Sequence, residues 1–395
     1  MSRLLFIIGI VLLLFTEILR VYFIMPFPGS QYSNTIDLAY FIDKYKWALR
    51  IIGLLLVARP VYRLFTKGKI KPKILFSLVI ILYTIIFYFF NFRFQADKMF
   101  YQPKIKSFAG SNRNTVDSNK LIIGIEINGE AKAYPIEVIG YHHQVRDTVG
   151  NKPVIITYCT VCRTGRVYSP TVNGKPEIFR LVGMDHFNAM FEDESTKSWW
   201  QQATGVAVAG PLKGDHLEEI PSQQSSLAAW LRLFPKSTIL QPDSNFRKRY
   251  ENLAGYDKGT IDGDLEKRDS ASWKMKSWVV GIKTNGLAKA YDWNDLLKNY
   301  FIQDTIGQIP VLLVLESDTS SFHAYNRLLL GKTLFFQQNS PADPLTDSNT
   351  HSVWNLNGQC IRGSLKDLKL EALASYQEFW HSWKQFHPNT TQYKK

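Results

Sequence analysis

The stretch GIEINGEAKAY, residues 124–134, decides the fold, because it returns as GIKTNGLAKAY at residues 281–291. In each copy an Asn-Gly pair separates two short strand-like runs. Asn and Gly both accept a positive φ, so this pair between two such runs predicts a tight β-hairpin. The same hairpin is therefore expected to open two copies of one domain.

Later landmarks repeat in the same order and at nearly the same spacing. The first copy has Asp193, Thr196, Ser198 and Trp200, then Trp230 and Pro235, and the second has Asp347, Thr350, Ser352 and Trp354, then Trp383 and Pro388. Two copies are too few for a stacked solenoid, so the pattern indicates a duplication. The predicted halves cover residues 95–241 and 279–393, the second one degenerate, with a polar linker at 242–278.

Short apolar runs and turn signals dominate both halves, so strands are expected to make up most of each. An amphipathic helix is predicted to close each half, over residues 225–234 and 373–386, and a proline ends each helix. The expected fold class is a β-rich α+β fold, with two homologous tandem halves after an N-terminal transmembrane region of two or three helices.

Residues 1–93 form the predicted membrane anchor. The apolar runs at about 4–24 and 74–92 are long enough to cross a hydrocarbon core of ~30 Å as helices. In a weaker run at 47–65, Arg50 and Arg59 would have to reach the interfaces from opposite ends, and whether this run spans stays open. No small-residue cleavage site follows the first run, so we expect an uncleaved anchor with the lipid bilayer as its partner.

The positive charge of the chain belongs to this anchor. The net charge is +13, and residues 1–93 alone hold 12 Lys and Arg against 3 Asp and Glu. Nucleic acid is therefore not an expected partner. Six basic residues between positions 59 and 73 mark the cytoplasmic side of the last helix. This predicts an integral protein of the cytoplasmic membrane whose soluble part, residues 95–395, is extracytoplasmic.

Composition and motifs exclude several classes. A chain of 395 residues with 45% hydrophobic and 21% charged residues is not a disordered protein. With three cysteines it is not a disulfide-built scaffold either. The sequence has no phosphate-binding glycine loop, no Gly-x-Ser-x-Gly elbow and no His-Glu-x-x-His helix. The common nucleotide-binding and hydrolase classes therefore lack support.

Two of the cysteines, Cys159 and Cys162, stand three residues apart in the first half only. A strand-like run precedes them and another begins at Gly165, which predicts a tight turn. Three interpretations stay open: a structural disulfide, a zinc or copper site completed by His142 or His186, and a redox-active dithiol. The candidate catalytic residues and metal ligands are accordingly Cys159, Cys162 and His142.

A second candidate set, for binding a ligand, lies further along the first half: His186, Asp193, Thr196, Ser198 and Trp200. In the competing interpretation Asp193 accepts hydrogen bonds in an Asx-type turn and Trp200 packs in the core. The Asp-x-x-Thr-x-Ser-x-Trp pattern occurs in both halves, which favours this structural role over a ligand groove between the copies. Cys360, in the second half, is expected to be buried and inert.

Three stretches of the first half resemble a prokaryotic family catalogued as domain of unknown function 3179. They are HHQVRD at 142–147, YCTVCR at 158–163 and DESTKSWWQQ at 193–202. The family patterns are His-Glu-x-Val-Asn-Asp, Tyr-Cys-Pro-Leu-Cys-Gly and Asp-Arg-x-Thr-Gly-Ser-x-Trp-x-Gln. Thr160 and Arg163 replace the Pro and Gly of the cysteine pattern. The resemblance covers the soluble part and implies membrane-anchored, uncharacterised relatives, with no activity to carry over.

Two functional hypotheses follow from these residues. The first is a membrane-anchored extracytoplasmic protein with a thiol-based metal or redox site at Cys159 and Cys162. The second is a non-catalytic envelope module that binds a partner or a small ligand and holds a structural Cys159–Cys162 disulfide. The sequence alone leaves the substrate, the metal and the envelope partner unknown, and whether the protein is an enzyme stays open.

Overall fold

The computed structural model describes residues 2–394. The chain forms two compact units. One contains the chain up to Tyr101 together with Thr171–Leu217, and the other contains Gln102–Pro170 together with the chain from Glu218 onward. The first unit therefore takes its residues from two separate stretches of sequence.

The N-terminal part of the first unit is helical. Its helices are α1 (Ser2–Tyr22), α2 (Ile36–Lys67), α3 (Ile70–Tyr88), which continues into a π-helical turn at Phe89–Arg93, and α4 (Ala96–Met99). Two segments of the described chain, Arg3–Tyr22 and Ile70–Arg93, are helices long and apolar enough to cross a membrane. The predicted run at 47–65 is part of α2, a helix of 32 residues with several charged side chains, and it does not meet that criterion.

Polar side chains meet between these helices. Arg50 of α2 donates from Nε and Nη2 to the two carboxylate oxygens of Glu17 on α1, at 2.7 and 2.8 Å. Asn91, in the π-helical turn, donates to Glu17 and accepts from Arg50. Glu17 and Arg50 are both buried. The ion pair thus joins two helices, and the turn after α3 completes it.

The first half of the remaining chain is mostly strand. Its elements are β1 (Phe108–Ala109), β2 (Leu121–Ile127), β3 (Glu130–Pro135), α5 (Ile136–His142), β4 (Gln144–Val149), β5 (Lys152–Cys159), β6 (Thr164–Tyr168), β7 (Thr171–Val172), β8 (Lys175–Pro176), β9 (Phe179–Asp185), β10 (Asn188–Asp193), β11 (Trp199–Gln201), β12 (Ala207–Ala209), β13 (Gln223–Ser226), α6 (Leu227–Leu233) and β14 (Thr238–Leu240). The strands β7 to β12 lie in the first unit, and the others belong to the second.

After the linker helix α7 (Arg247–Glu251), the second half follows within the second unit. Its elements are β15 (Trp278–Thr284), β16 (Leu287–Asp292), α8 (Trp293–Asn299), β17 (Phe301–Ile306), β18 (Ile309–Leu315), β19 (Phe322–Asn326), β20 (Leu328–Leu329), β21 (Lys332–Thr333), β22 (Phe336–Gln337), β23 (Leu345–Asp347), β24 (Val353–Trp354), β25 (Cys360–Arg362), β26 (Glu371–Ala372), β27 (Ser375–Phe379), α9 (Trp380–Phe386) and β28 (Thr391–Gln392). The protein is therefore an α+β protein with many strands.

Two central sheets of the second unit have the same pairing pattern. Their strand orders are β13-β2-β3-β14-β1 and β27-β15-β16-β28. In each, the hairpin strands pair antiparallel, and the strand after the closing helix pairs parallel with the second hairpin strand. Asn128 and Gly129 have φ values of 52° and 83°, and Asn285 and Gly286 have 47° and 75°. The two predicted Asn-Gly hairpins are confirmed.

A tryptophan of each closing helix packs on the first hairpin strand. Trp230 of α6 covers Gly124, and Trp383 of α9 covers Gly281. A Cβ atom at either glycine would lie 2.4 or 2.3 Å from an indole carbon, which is too close for any side chain. Glycine is needed here because the indole ring rests on the strand backbone itself.

Both closing helices are shorter than predicted. The helix expected over 225–234 covers Leu227–Leu233, because Gln223–Ser226 pairs with β2 as a strand. The helix expected over 373–386 covers Trp380–Phe386, because Ser375–Phe379 pairs with β15. In both places an edge strand runs directly into the helix, and local periodicity did not show the change.

Candidate functional site

The cysteine pair lies in the turn between β5 and β6. Cys159 is the last residue of β5 and pairs with Thr164, so the four residues 160–163 form the loop. Cys159 and Cys162 are free thiols with no exposed surface. The predicted tight turn is confirmed, and it places both thiols inside the second unit.

The two thiols contact each other, and Cys162 also interacts with one polar group of the linker and one of the second half. Burial, together with a hydrogen bond to Cys159, raises the pKa of the Cys162 thiol well above its ordinary value. Lys276 and the Ser382 hydroxyl oppose that shift because they stabilise a thiolate. The ammonium group of Lys276 also donates to the carbonyl oxygens of Val161 and Leu265, at 2.6 and 2.5 Å.

The end of β27 and the start of α9 cover the cysteine turn. The amide of Phe379 donates to the carbonyl oxygen of Cys162 at 3.0 Å. Ser382 lies 3.2 Å from the Thr164 hydroxyl and donates to Glu378 Oε2 at 3.0 Å. The other oxygen of Glu378 accepts a hydrogen bond from Arg166, and both of these charged groups are buried. A chain of polar groups therefore leads from Cys162 through Ser382 to a buried ion pair.

Sequence reasoning missed Lys276, Ser382 and Glu378. They stand more than 110 residues from the cysteines and carry no recognisable motif. Only the pairing of β27 with β15, followed by α9, brings them to the turn. No signal in the sequence would have located them.

His142, which was predicted as a metal ligand, is buried at the end of α5, and so is the next residue, His143. His142 Nε2 lies 2.7 Å from the Tyr250 hydroxyl, and its ring packs edge-on against Phe246. His143 ends α5 at a φ of 61°, and burial lowers the pKa of its imidazole to about 4. Within residues 2–394 no group of three or more His, Cys, Asp or Glu side chains is placed to hold a metal ion. The structure therefore gives no support to the zinc or copper site with Cys159, Cys162 and His142.

The second candidate set belongs to the first unit. Asp193 accepts hydrogen bonds from the Thr196 amide and hydroxyl at 2.5 and 2.7 Å, from the Ser198 amide at 3.1 Å, and from Trp200 Nε1 at 2.8 Å. The expected Asx-type turn with a buried tryptophan is thus present. Trp200 also lines a cavity of about 330 Å³ with His216. A ligand role for this set stays a prediction.

His186 lies in the turn between β9 and β10, also in the first unit. Its Nδ1 atom is 2.6 Å from Asp185 Oδ1, and this hydrogen bond raises the pKa of the imidazole. The other oxygen of Asp185 accepts from Gln201 at 2.6 Å. The turn thus fixes the ring of His186 against a carboxylate.

A family model described as Protein of unknown function (DUF3179) matches residues 100–390. The chain belongs to this family. The comparison with curated proteins gave no match, and neither did the comparison with solved structures. The match confirms the resemblance found in the cysteine and Asp-Thr-Ser-Trp stretches, and it covers both halves of the chain.

This DUF3179 chain departs from the family's cysteine pattern at Arg163, where the pattern has glycine. The departure matters because Arg163 has a φ of 56°, a conformation that glycine adopts freely. Its guanidinium donates to Gln377 Oε1 at 2.8 Å and to the carbonyl oxygen of Tyr256 at 3.2 Å. It also stacks on Trp278, 3.8 Å from the ring centre. Arg163 therefore ties the cysteine turn to the linker and to the second half.

Proposed function

We propose that this protein is a membrane-anchored protein in which Cys159 and Cys162 interconvert between a dithiol and a disulfide. The observation that carries the proposal is the contact between the two thiols in one short turn, beside the ammonium group of Lys276. Lys276 partly offsets the burial that raises the pKa of Cys162, and so favours the thiolate, which is the form that attacks disulfides.

The reaction is a thiol–disulfide exchange. One thiolate attacks a disulfide of a partner protein. The partner S–S bond breaks as a mixed disulfide forms, and the first partner sulfur leaves as a thiolate that takes up a proton. The second thiol then attacks the mixed disulfide, so that a Cys159–Cys162 bond forms and the partner leaves with two thiols. Two electrons pass to the partner disulfide. The proton that Cys162 loses passes to the Ser382 hydroxyl, which in turn donates its own proton toward Glu378.

Both thiols are covered in the structure, so the exchange needs an opening step. Thr160 and Val161, at the tip of the turn, are buried as well. The linker segment that carries Lys276 contacts the turn through hydrogen bonds to carbonyl oxygens. Movement of this segment and of the start of α9 exposes the thiols to a partner.

The test is the reduction potential of the pair in the full chain, measured by alkylation and peptide mass mapping in defined thiol buffers. A redox-active pair is expected between about −270 and −120 mV, whereas a structural disulfide lies below about −300 mV. Replacing Lys276 with Gln removes the charge that favours the thiolate, so the potential is expected to become more negative. Lys274→Gln, at an exposed neighbour, is the matched control and is expected to leave it unchanged.

The second candidate function is a binding or scaffold module with a structural Cys159–Cys162 disulfide. The complete burial of both sulfur atoms favours it. A potential below about −300 mV, insensitive to Lys276→Gln, would establish this alternative. Elemental analysis of the same preparation, made without chelator, tests for zinc, copper or iron: stoichiometric metal that is lost in a double Cys→Ser variant contradicts the redox proposal.

The anchor proposal rests on two apolar helices, of which Ile70–Arg93 has its apolar side chains mostly exposed. The basic residues between positions 59 and 73 support a cytoplasmic junction of α2 and α3, and in this proposal the chain after α3 is extracytoplasmic. A phosphatase fused to the C-terminus is then expected to be active in intact cells. An inactive phosphatase fusion, together with fluorescence from a fluorescent protein fused at the same position, overturns the orientation.

The proposal also includes a tandem duplication, with halves at 95–241 and 279–393. The matching order of four strands in the two central sheets and the indole-on-glycine contact in both halves support it. In this interpretation the first half keeps the thiols, and the second half has replaced them.

A further inference from the structure

The second half carries a different pair of reactive groups at the turn that corresponds to the cysteine turn. Glu316 follows β18, as Cys159 ends β5, and His323 lies on β19. Glu316 Oε1 is 2.8 Å from His323 Nε2. The relative exposures are 5% and 7%, so both side chains are more than nine-tenths buried.

This carboxylate and imidazole lie between two cavities of the second unit. The smaller cavity, of about 180 Å³, is lined by His323 together with Gln223, Phe322, Tyr325 and Lys369. The larger, of about 330 Å³, is lined by Glu316 and Arg232. Asn357 lines both. We refer to the smaller one as the His323 cavity.

The hydrogen-bond partners of His323 determine which of its ring nitrogens carries the proton. A carboxylate only accepts hydrogen bonds, so His323 donates to Glu316 from Nε2. The remaining atom, Nδ1, lies 3.5 Å from Gln223 Nε2, and both residues line the His323 cavity. The second oxygen of Glu316 pairs with Arg232, so the negative charge of Glu316 is already matched.

The lining of the His323 cavity suits an anion with an apolar body. None of the described residues that line this cavity carries a carboxylate. Lys369 contributes an ammonium group to the lining, and its side chain is exposed. Gln223, Gln224 and Asn357 add amide groups that can donate hydrogen bonds. Phe322 and other apolar side chains form the rest of the wall. A cavity of roughly 150 Å³ holds a benzene molecule, so this one accepts a body of similar size.

We propose that the His323 cavity binds a small organic monocarboxylate, whose carboxylate lies between Lys369 and the amide groups of Gln223 and Asn357 and whose apolar body packs on Phe322. The Nδ1 atom of His323 accepts from the Gln223 amide and so orients that amide in the cavity. Glu316 acts as a positioning residue, because it fixes the ring of His323 with Nε2 occupied. The site is independent of the thiols. Both halves line the cavity, so the second half takes part in a binding site rather than being a remnant of the first.

The experiment is calorimetric titration of the full chain in detergent with benzoate, and with benzamide as the neutral analogue. Benzoate is expected to bind, and benzamide at least about tenfold more weakly, because it lacks the charge that Lys369 recognises. Lys369→Gln is expected to weaken benzoate binding about tenfold, whereas Lys366→Gln, an exposed lysine three residues away, leaves it within about twofold.

His323→Gln tests the orientation of the Gln223 amide by the imidazole and is expected to weaken benzoate binding while benzamide binding is unchanged. If this variant does not fold, the two lysine variants still decide the question, since their side chains are at the surface. Equal affinities for benzoate and benzamide overturn the recognition of a carboxylate. Absence of benzoate binding at about 10 mM, or equal effects of the two lysine variants, overturns the site.

Discussion

Replacing Arg163 separates the two ways in which this residue affects stability. Its side chain holds Gln377 and a linker carbonyl oxygen and stacks on Trp278, while its backbone has a φ of 56°. Loss of hydrogen bonds from a buried charged group and of the cation–π contact is expected to cost about 4 kcal/mol in Arg163→Ala. Arg163→Gly loses the same contacts but relaxes the backbone, and it is expected to be about 1 kcal/mol more stable than Arg163→Ala.

The assay is thermal unfolding of the full chain in detergent, followed by tryptophan fluorescence. One kcal/mol corresponds to about 2–4 °C for domains of 150–250 residues. Arg163→Ala is therefore expected to unfold about 8–16 °C below the parent, with Arg163→Gly about 2–4 °C above the alanine variant. An alanine variant as stable as the glycine variant would refute the backbone argument. A decrease of less than about 2 °C in both would show that the buried contacts contribute little.

Three further predictions follow from single contacts. Gly281→Ala places a methyl group 2.3 Å from Trp383 and is expected to lower the free energy of unfolding by about 1–3 kcal/mol or more, as measured by denaturant unfolding. Burial lowers the pKa of His143 to about 4, below the ~6.5 of an unfolded chain. The free energy of unfolding is therefore unaffected by this group above pH 6.5 and decreases as the pH falls, by about 2 kcal/mol at pH 5. His143→Asn, which also accepts a positive φ, is expected to remove this part of the acid sensitivity. Glu17→Gln leaves the buried charge of Arg50 unpaired and is expected to destabilise the helices by about 3–5 kcal/mol, whereas adding Arg50→Gln recovers part of the loss in the same thermal assay.

Local chemistry explains what the sequence predicted well. The Asn-Gly turns were predictable because two adjacent residues determine the backbone angles at Asn128 and Asn285. The Asx-type turn at Asp193 was predictable for the same reason, since its hydrogen-bond donors lie within seven residues of the carboxylate. The cysteine turn also depends on neighbours in sequence.

Long-range pairing explains what the sequence did not predict. Ser375–Phe379 is a strand because β15, about a hundred residues earlier, offers it an edge, so its own residue pattern was misread as helix. The same strand delivers Glu378 and, through α9, Ser382 to the cysteine turn. The polar surroundings of Cys162 therefore depend on tertiary pairing, which no local pattern encodes.

The second half shows why loss of a motif is a poor measure of lost function. Glu316 and His323 belong to no sequence motif, and their pairing is recognisable only through the strand register, in which His323 pairs with Val314. The loop has four residues between Cys159 and Thr164 and six between Leu315 and Phe322. The residues at or beside it also differ: two thiols in one half, a carboxylate and an imidazole in the other. A fold of this kind holds the turn in place through the buried strands beside it, so the turn residues are free to change chemistry. The two turns should therefore be tested as two separate sites, because variants at Cys159 and at His323 are expected to affect different measurements.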